Sequence, residues 1–196
     1  MLRRFLVIGA LFGLCCASVV MAGVPDYFDH AAKSSWKCED DGLQLRLGIT
    51  LYPQGLVRAF DAPERPAQPL LLETETIVPE QQFGVYVVFS GCAEDSDGNC
   101  NTTVVYEIEL PDGTVAVRQG SVPVWRRPAP AADMPQLSEG VWVTSADPMD
   151  PAGAHVVRAT VTDHVAGKTM VLERTLVLEH DVVSAARAQA YRSTRE

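Results

Sequence analysis

Basic residues are scarce: 16 Lys and Arg stand against 25 Asp and Glu, a formal charge of −9 over 196 residues. General binding to nucleic acid and docking on anionic lipid both need a basic surface, so the charge argues against both. Signatures of catalysis are missing as well. The chain has no Gly-x-Ser-x-Gly elbow to activate a serine, no His-Glu-x-x-His or His-x-His pair to hold zinc, and no glycine-rich phosphate loop. No Cys-x-x-Cys occurs, and none of His30, His155, His164 and His180 lies near Cys92 or Cys100 in the sequence. Asp163 and His164 could serve as orienter and base, but neighbours on a strand point to opposite faces. They read as surface polar groups at a turn, and Glu179-His180-Asp181 reads as a strand end. No catalytic residue and no cofactor is therefore expected.

Long apolar runs are absent too, with one exception that opens the chain. Residues 1–22 place Arg3 and Arg4 before an apolar stretch from Phe5 to about Val20, then Val20-Met21-Ala22 as a small-x-small cleavage site. This is the tripartite pattern of a secretory signal. The alternative is an uncleaved anchor, since the stretch comes close to spanning a bilayer. Lipidation is not expected, because Leu14 precedes Cys15 and Cys15 precedes Cys16. Cleavage would remove Arg3 and Arg4 but no acid, taking the charge from −9 to −11. The expected location is periplasmic or secreted, with no membrane span after cleavage.

Export permits disulfides. Cys15 and Cys16 leave with the signal, so Cys38, Cys92 and Cys100 remain. Cys92 and Cys100 flank CAEDSDGNC, whose Asp97-Gly98 supports a tight turn between apolar runs at 85–89 and 104–110. A hairpin there would bring its ends together, so a Cys92–Cys100 disulfide is expected, worth about 2.5 kcal/mol by loop closure. Cys38 is then the odd thiol, either buried, free or paired with another chain.

What is present is mostly strand. Residues 27–36 suggest a short helix capped by Asp26. Leu43, Leu45, Leu47 and Ile49 then alternate with Gln44, Arg46 and Gly48, the period of a half-buried strand. Tyr52-Pro53-Gln54-Gly55 reads as a turn, with 56–60 returning as the hairpin partner. Residues 61–69 hold three prolines in nine positions and read as a connector. Strands follow at 70–77, 84–91, 101–110, 114–119 with 122–125, 139–146, 154–163 and 168–179. Pro111-Asp112-Gly113 and Ala166-Gly167 are turns, and 126–135 is a second proline-rich crossing. Seven strands over roughly 110 residues, with no helical period between them, predict an all-β, two-sheet antiparallel sandwich. Residues 181–192 are apolar at Val182, Val183, Ala186 and Ala190, which suggests a short terminal helix or a frayed tail. The expected organisation is a signal over 1–22, an extension with helix, hairpin and connector over 23–69, a sandwich over 70–180, and a helix or tail over 181–196.

The stretch 150–163 carries a resemblance. Gly153, His155, Val157, Ala159, Val161 and Asp163 follow Pro151 in the spacing Gly-x-His-x-Val-x-Ala-x-Val-x-Asp. This resembles the penultimate strand of bacterial immunoglobulin-like and fibronectin-like domains, which have Tyr at the position of His155. The resemblance covers about residues 70–180 and implies an immunoglobulin-like fold. In that family the tyrosine bonds back to the corner backbone, and an imidazole can donate the same kind of bond. A function does not travel with such a likeness.

Two places tempt a ligand. In the loop 94–99, Asp95, Asp97 and Asn99 alternate as hard oxygen donors for calcium, but Cys100 and Tyr106 stand where an EF-hand needs Gly and Glu. They are weak metal candidates, and the plainer reading is a solvated turn pinned by a disulfide. Arg126-Arg127 beside Trp125 could meet an anionic or aromatic partner, or form an exposed loop root. Asn101-Thr102-Thr103 fits a glycosylation sequon and reads as a strand start. The function expected is a non-catalytic exported module that binds another envelope or secreted protein through an edge strand or end loops. Alternatives are a calcium- or carbohydrate-binding module using the 94–99 loop, or a periplasmic immunity or inhibitor protein. The acidic charge suits a basic partner by steering.

Overall fold

A computed structural model describes residues 36–38, 42–67, 69–131 and 133–181. The elements in chain order are β1 (Trp36–Cys38), β2 (Gln44–Thr50), α1 (Pro53–Asp61), β3 (Thr76–Ile77), β4 (Gln82–Ser90) and β5 (Thr102–Glu109). They continue with β6 (Val115–Trp125), β7 (Gln136–Leu137), β8 (Trp142–Ser145), β9 (Gly153–Asp163) and β10 (Lys168–Leu178). The signal, most of the 27–36 helix and all but the first residue of the 181–192 helix expected from the sequence lie outside the described residues. Trp36, expected to end that first helix, is in β1.

The strands form two sheets. One runs β1-β2-β4-β7 with β8 also paired to β4, and the other runs β3-β10-β9-β5-β6. All neighbours are antiparallel except β3, which lies parallel to β10. In immunoglobulin lettering, β2, β4 and β8 take the places of strands A, B and E. In the opposite sheet, β10, β9 and β5 take those of G, F and C, with β6 as C′. The fold is therefore an all-β immunoglobulin-like sandwich. Alternation fills its interior. Leu45, Leu47 and Ile49 from β2, with Phe83, Val85, Val87 and Phe89 from β4, meet Val104 and Tyr106 from β5 and Val157, Ala159 and Val161 from β9.

The strand β4 is buried along both faces from Phe83 to Ser90. Its outward row, Tyr86 and Val88, needs a second cover, which Leu56 and Phe60 of α1 supply together with Leu137. This corrects the expected hairpin. Residues 56–60 are helical, because Leu56 and Phe60 at i and i+4 share one helix face and Pro53 occupies the first turn, where a missing N–H costs nothing. The strand β2 hydrogen-bonds instead to β4, and β1 to β2, so the sandwich takes in strands that precede residue 70.

The expected strand over 70–77 is regular only at Thr76–Ile77. Before that the chain crosses from one sheet to the other. Thr74 N–H donates to Ile49 O (2.9 Å) beside the first sheet, and Val177 N–H donates to Glu75 O (2.8 Å) in the second. Glu73 fastens the crossing. Its carboxylate meets Arg46 of β2 at 2.9 Å and Arg174 of β10 at 2.7 Å, and accepts the Tyr86 hydroxyl at 3.0 Å. Gly48 lies opposite Tyr86 in the β2–β4 register, and a Cβ there would overlap the Tyr86 ring. β6 runs unbroken through Gly120 and Ser121, where the strand expected over 114–119 with 122–125 was interrupted, and it carries register shifts against β5. Among the described residues no helix is long and apolar enough to cross a membrane.

Burial raises the ionisation of both Tyr86 and Tyr106 well above the ordinary phenol range, and the Glu73 charge adds to this at Tyr86. A raised phenol stays neutral in the folded chain after the unfolded chain has begun to ionise near pH 10, so stability falls as pH rises beyond that point. The slope approaches about 1.4 kcal/mol per pH unit for each tyrosine only well above pH 10, so between pH 9 and 11 each tyrosine accounts for about 1.4 kcal/mol in all. Urea titrations from pH 9 to about 11 should show it, and Tyr86→Phe or Tyr106→Phe should each remove about half. A slope unaltered by either substitution contradicts the assignment.

Candidate functional site

The ends of the sandwich gather the residues singled out in the sequence. At one end, Cys92 and Cys100 are joined by a disulfide. The expected pairing is present, but the hairpin expected to produce it is not. β4 and β5 lie in opposite sheets, so the bond closes an arch between the two layers. Cys100 N–H donates to Arg127 O (3.0 Å) and Ala129 N–H to Gly98 O (3.1 Å), which lays the arch along the 126–129 segment. Asp163 ties in the β9–β10 turn. It is buried, and its carboxylate accepts the amides of Ala93 (2.9 Å), Val165 (3.0 Å) and Ala166 (3.1 Å).

Within the arch, Asp95 Oδ1 accepts the amides of Asp97 and Asn99, each at 2.9 Å. One of the candidate calcium oxygens thus already organises the loop. Among the described residues no three His, Cys, Asp or Glu side chains converge as a metal group. Arg127 is engaged as well: its guanidinium sits 4.0 Å over the Trp125 ring and its Nε is 2.9 Å from Glu139. Asp163 and His164 do not act together. His164 Nε2 shares a 2.9 Å hydrogen bond with Thr103 Oγ1, away from the Asp163 carboxylate. His180 Nε2 donates to Asp150 O at 3.0 Å.

The opposite end holds the corner before β9. His155 Nδ1 donates to Gly153 O at 3.1 Å, the back-bond that the resemblance implied. His155 shares the buried face with Val157, Ala159 and Val161, and is itself only 5% exposed. It lines a cavity of about 30 Å³ walled by Ile77, Phe83, Ile108, Leu176 and Leu178. The sequence signal for this space was the imidazole in a tyrosine's place, which shortens the side chain there. Its walls come from distant segments, so no local pattern displayed it.

Along one side of the molecule runs β6, the outermost strand of its sheet. Among the described residues its only ladder is to β5. The 138–139 segment covers its last turn of chain, through Glu139 N–H to Val124 O at 3.0 Å. Over residues 115–121 the other edge has no partner among the described residues. Val117 is paired with Ile108 and so faces inward with it, yet it is 41% exposed, and Val115 is 45% exposed. The facing sheet ends at the four-residue β8, which leaves this part of β6 overhanging.

No protein-family model and no curated protein matches the chain. Among solved structures, the chain is similar to an immunoglobulin-like protein from Pseudomonas aeruginosa, with 17% identity, 69% of this chain and 91% of that one covered, and a TM-score of 0.30. The fold assignment rests on the strand order of this chain itself.

Cys92 and Cys100 are buried in the core at the arch end, so replacing them together by alanine should cost about 2.5 kcal/mol from loop closure and further stability from the packing lost with the sulfur atoms. Denaturant melts of the two proteins measure this, and far-ultraviolet circular dichroism should stay that of a β-protein. A loss of sheet signal would mean that the arch is needed for the sandwich itself.

Proposed function

We propose that this chain is a non-catalytic, exported immunoglobulin-like module of the periplasm or secreted space that binds another envelope or secreted protein, as an assembly accessory or as an inhibitor. The observation that carries this reading is the open edge of β6. Seven residues of strand, 115–121, offer unpaired backbone groups beside exposed Val115 and Val117, and such an edge is a template for a partner's strand. The remaining features agree with it. His155, His164 and His180 are each hydrogen-bonded to a backbone carbonyl or a threonine, which suits structural roles. A disulfide suits an oxidising compartment, as does the signal-like start of the sequence. The charge of −9 suits a partner with a basic surface. The acidic arch remains the alternative as a calcium or carbohydrate site, but the internal bonds of Asp95 make it the weaker reading.

The test is capture with the purified full chain from periplasmic extract, at low salt and after cross-linking, beside a Val115→Lys/Val117→Lys variant. One protein should be retained by the unaltered chain and lost from the variant, whose melting temperature should be close to that of the unaltered chain. Nothing above background with the unaltered chain, or equal capture by both, would count against the edge. Calorimetry with calcium decides the alternative, which requires heat that Asp95→Ala and Asp97→Ala abolish.

A further inference from the structure

The end of the sandwich opposite the disulfide is where the chain leaves its last strand. The His155 cavity opens at this end, and among its lining residues Ala116, Val117 and Ser145 are exposed while Asp150 is half-buried. Met149, beside Asp150 in the chain, is 89% exposed. Leu178, the last residue of β10, also lines the cavity, and two residues on His180 is bonded to Asp150 O. The segment that follows therefore starts beside the opening. Between β10 and β6 lie β9 and β5, so the two are three strand spacings or about 14 Å apart. The helix expected from the spacing of Val182, Val183, Ala186 and Ala190 would be about 16 Å long over 182–192, enough to reach from the exit to Val117.

Charge favours the same placement. The segments that form this end, 78–81, 111–114, 146–152 and 177–180, hold Glu80, Asp112, Asp147, Asp150 and Glu179 and no lysine or arginine. Glu80 N–H donates to Ala146 O at 2.9 Å and Asp147 N–H to Asp150 Oδ2 at 2.8 Å, and Pro111 Cγ lies 3.6 Å from where a Cβ on Gly153 would sit. These contacts gather the turns at one end. Glu179 Oε2 is buried without a hydrogen-bond partner among the described residues, a costly state for a carboxylate that a neighbouring cation relieves. Residues 182–196 are opposite in sign, with Arg187, Arg192 and Arg195 against Glu196.

From this we infer that this end of the sandwich is a docking surface for residues 182–196 of the same chain, which lie across it as a basic amphipathic helix. The stripe from Val182 to Ala190 closes the cavity, and the arginines meet the acidic turns. A helix satisfies its own backbone groups, so it adds no bonds to β6 and leaves 115–121 open. The inference goes beyond the binding-module reading and fails separately from it.

The isotope-labelled full chain is compared with Val182→Asp/Val183→Asp and with Arg187→Glu/Arg192→Glu. These positions follow the last strand, so both variants should keep the circular dichroism of the sandwich. In the unaltered chain, methyl nuclear Overhauser contacts should join the stripe to Leu110, Ala146 and Val117. A helix this short is marginal in water on its own, so protection of its amides reports docking. Amides 186–192 should exchange about tenfold more slowly than in an unprotected chain. Each variant should abolish that protection and shift amides at 110–117 and 145–152, and salt at about 0.5 M should weaken it in the unaltered chain. Unprotected amides over 186–192, or variant shifts confined to the neighbours of the substitutions, overturn the inference. So do contacts seen only between differently labelled chains, which would place the segment on a second copy.

Discussion

Pairing can satisfy every strand of an open sheet except its outer two, each of which keeps one row of amides and carbonyls with no internal partner. How a sandwich treats those rows decides what its surface can do. Here β3 and β7 are two residues long and β8 is four, too short to template much. β6 is eleven residues long and is treated differently. Its register shifts against β5 after Thr102, Val104 and Ile108 twist the edge and break it into short pieces. Between them, Val117, Arg118 and Gln119 keep regular pairing with Ile108, Glu107 and Tyr106. An edge interrupted in this way is a poor seed for open-ended aggregation while still accommodating one short strand.

The rest of the molecule holds that edge in place. The crossing at 72–77 belongs to both layers, and Glu73 joins Arg46 and Tyr86 of the first sheet to Arg174 of the second. An ion pair so enclosed adds little net stability when complete, but leaving one partner unpaired is costly, so it fixes which strands may lie next to each other. At the arch, the disulfide and the Asp163 carboxylate fasten the same two layers at the other end. Fixed at both ends, the sheets hold Val117 beyond the reach of β8 and keep the cavity open beside it.

Much of this was legible in the sequence, and the gaps have physical causes. Period-two alternation located β2 and β9, and apolar runs bounded by turn residues located β4, β5 and β10, each to within a residue or two. The Cys92–Cys100 pairing was legible from spacing alone, although the local hairpin reasoning behind it was mistaken. A short loop brings two cysteines together equally well whether the flanking strands pair or part into different sheets. α1 was misread because Pro53 and Gly55 signal a turn as strongly as a helix start, and only the outward-facing apolar row Tyr86 and Val88 on β4 demanded a helical cover. The Glu73 cluster, the overhang of Val117 and the cavity at His155 arise from positions far apart in the chain. No window of sequence contains them.

The account stands on β6 being open along one side while the strands behind it are closed. Hydrogen exchange of individual backbone amides in the native full chain measures this directly, since protection reports which amides are held in lasting bonds. β4, β5 and β9 should exchange slowest. Along 115–121 protection should alternate, with amides aimed at β5 held and those aimed outward exchanging near the rate of an unprotected chain. Uniform protection of both rows in this stretch would show the edge already covered, and would contradict the account.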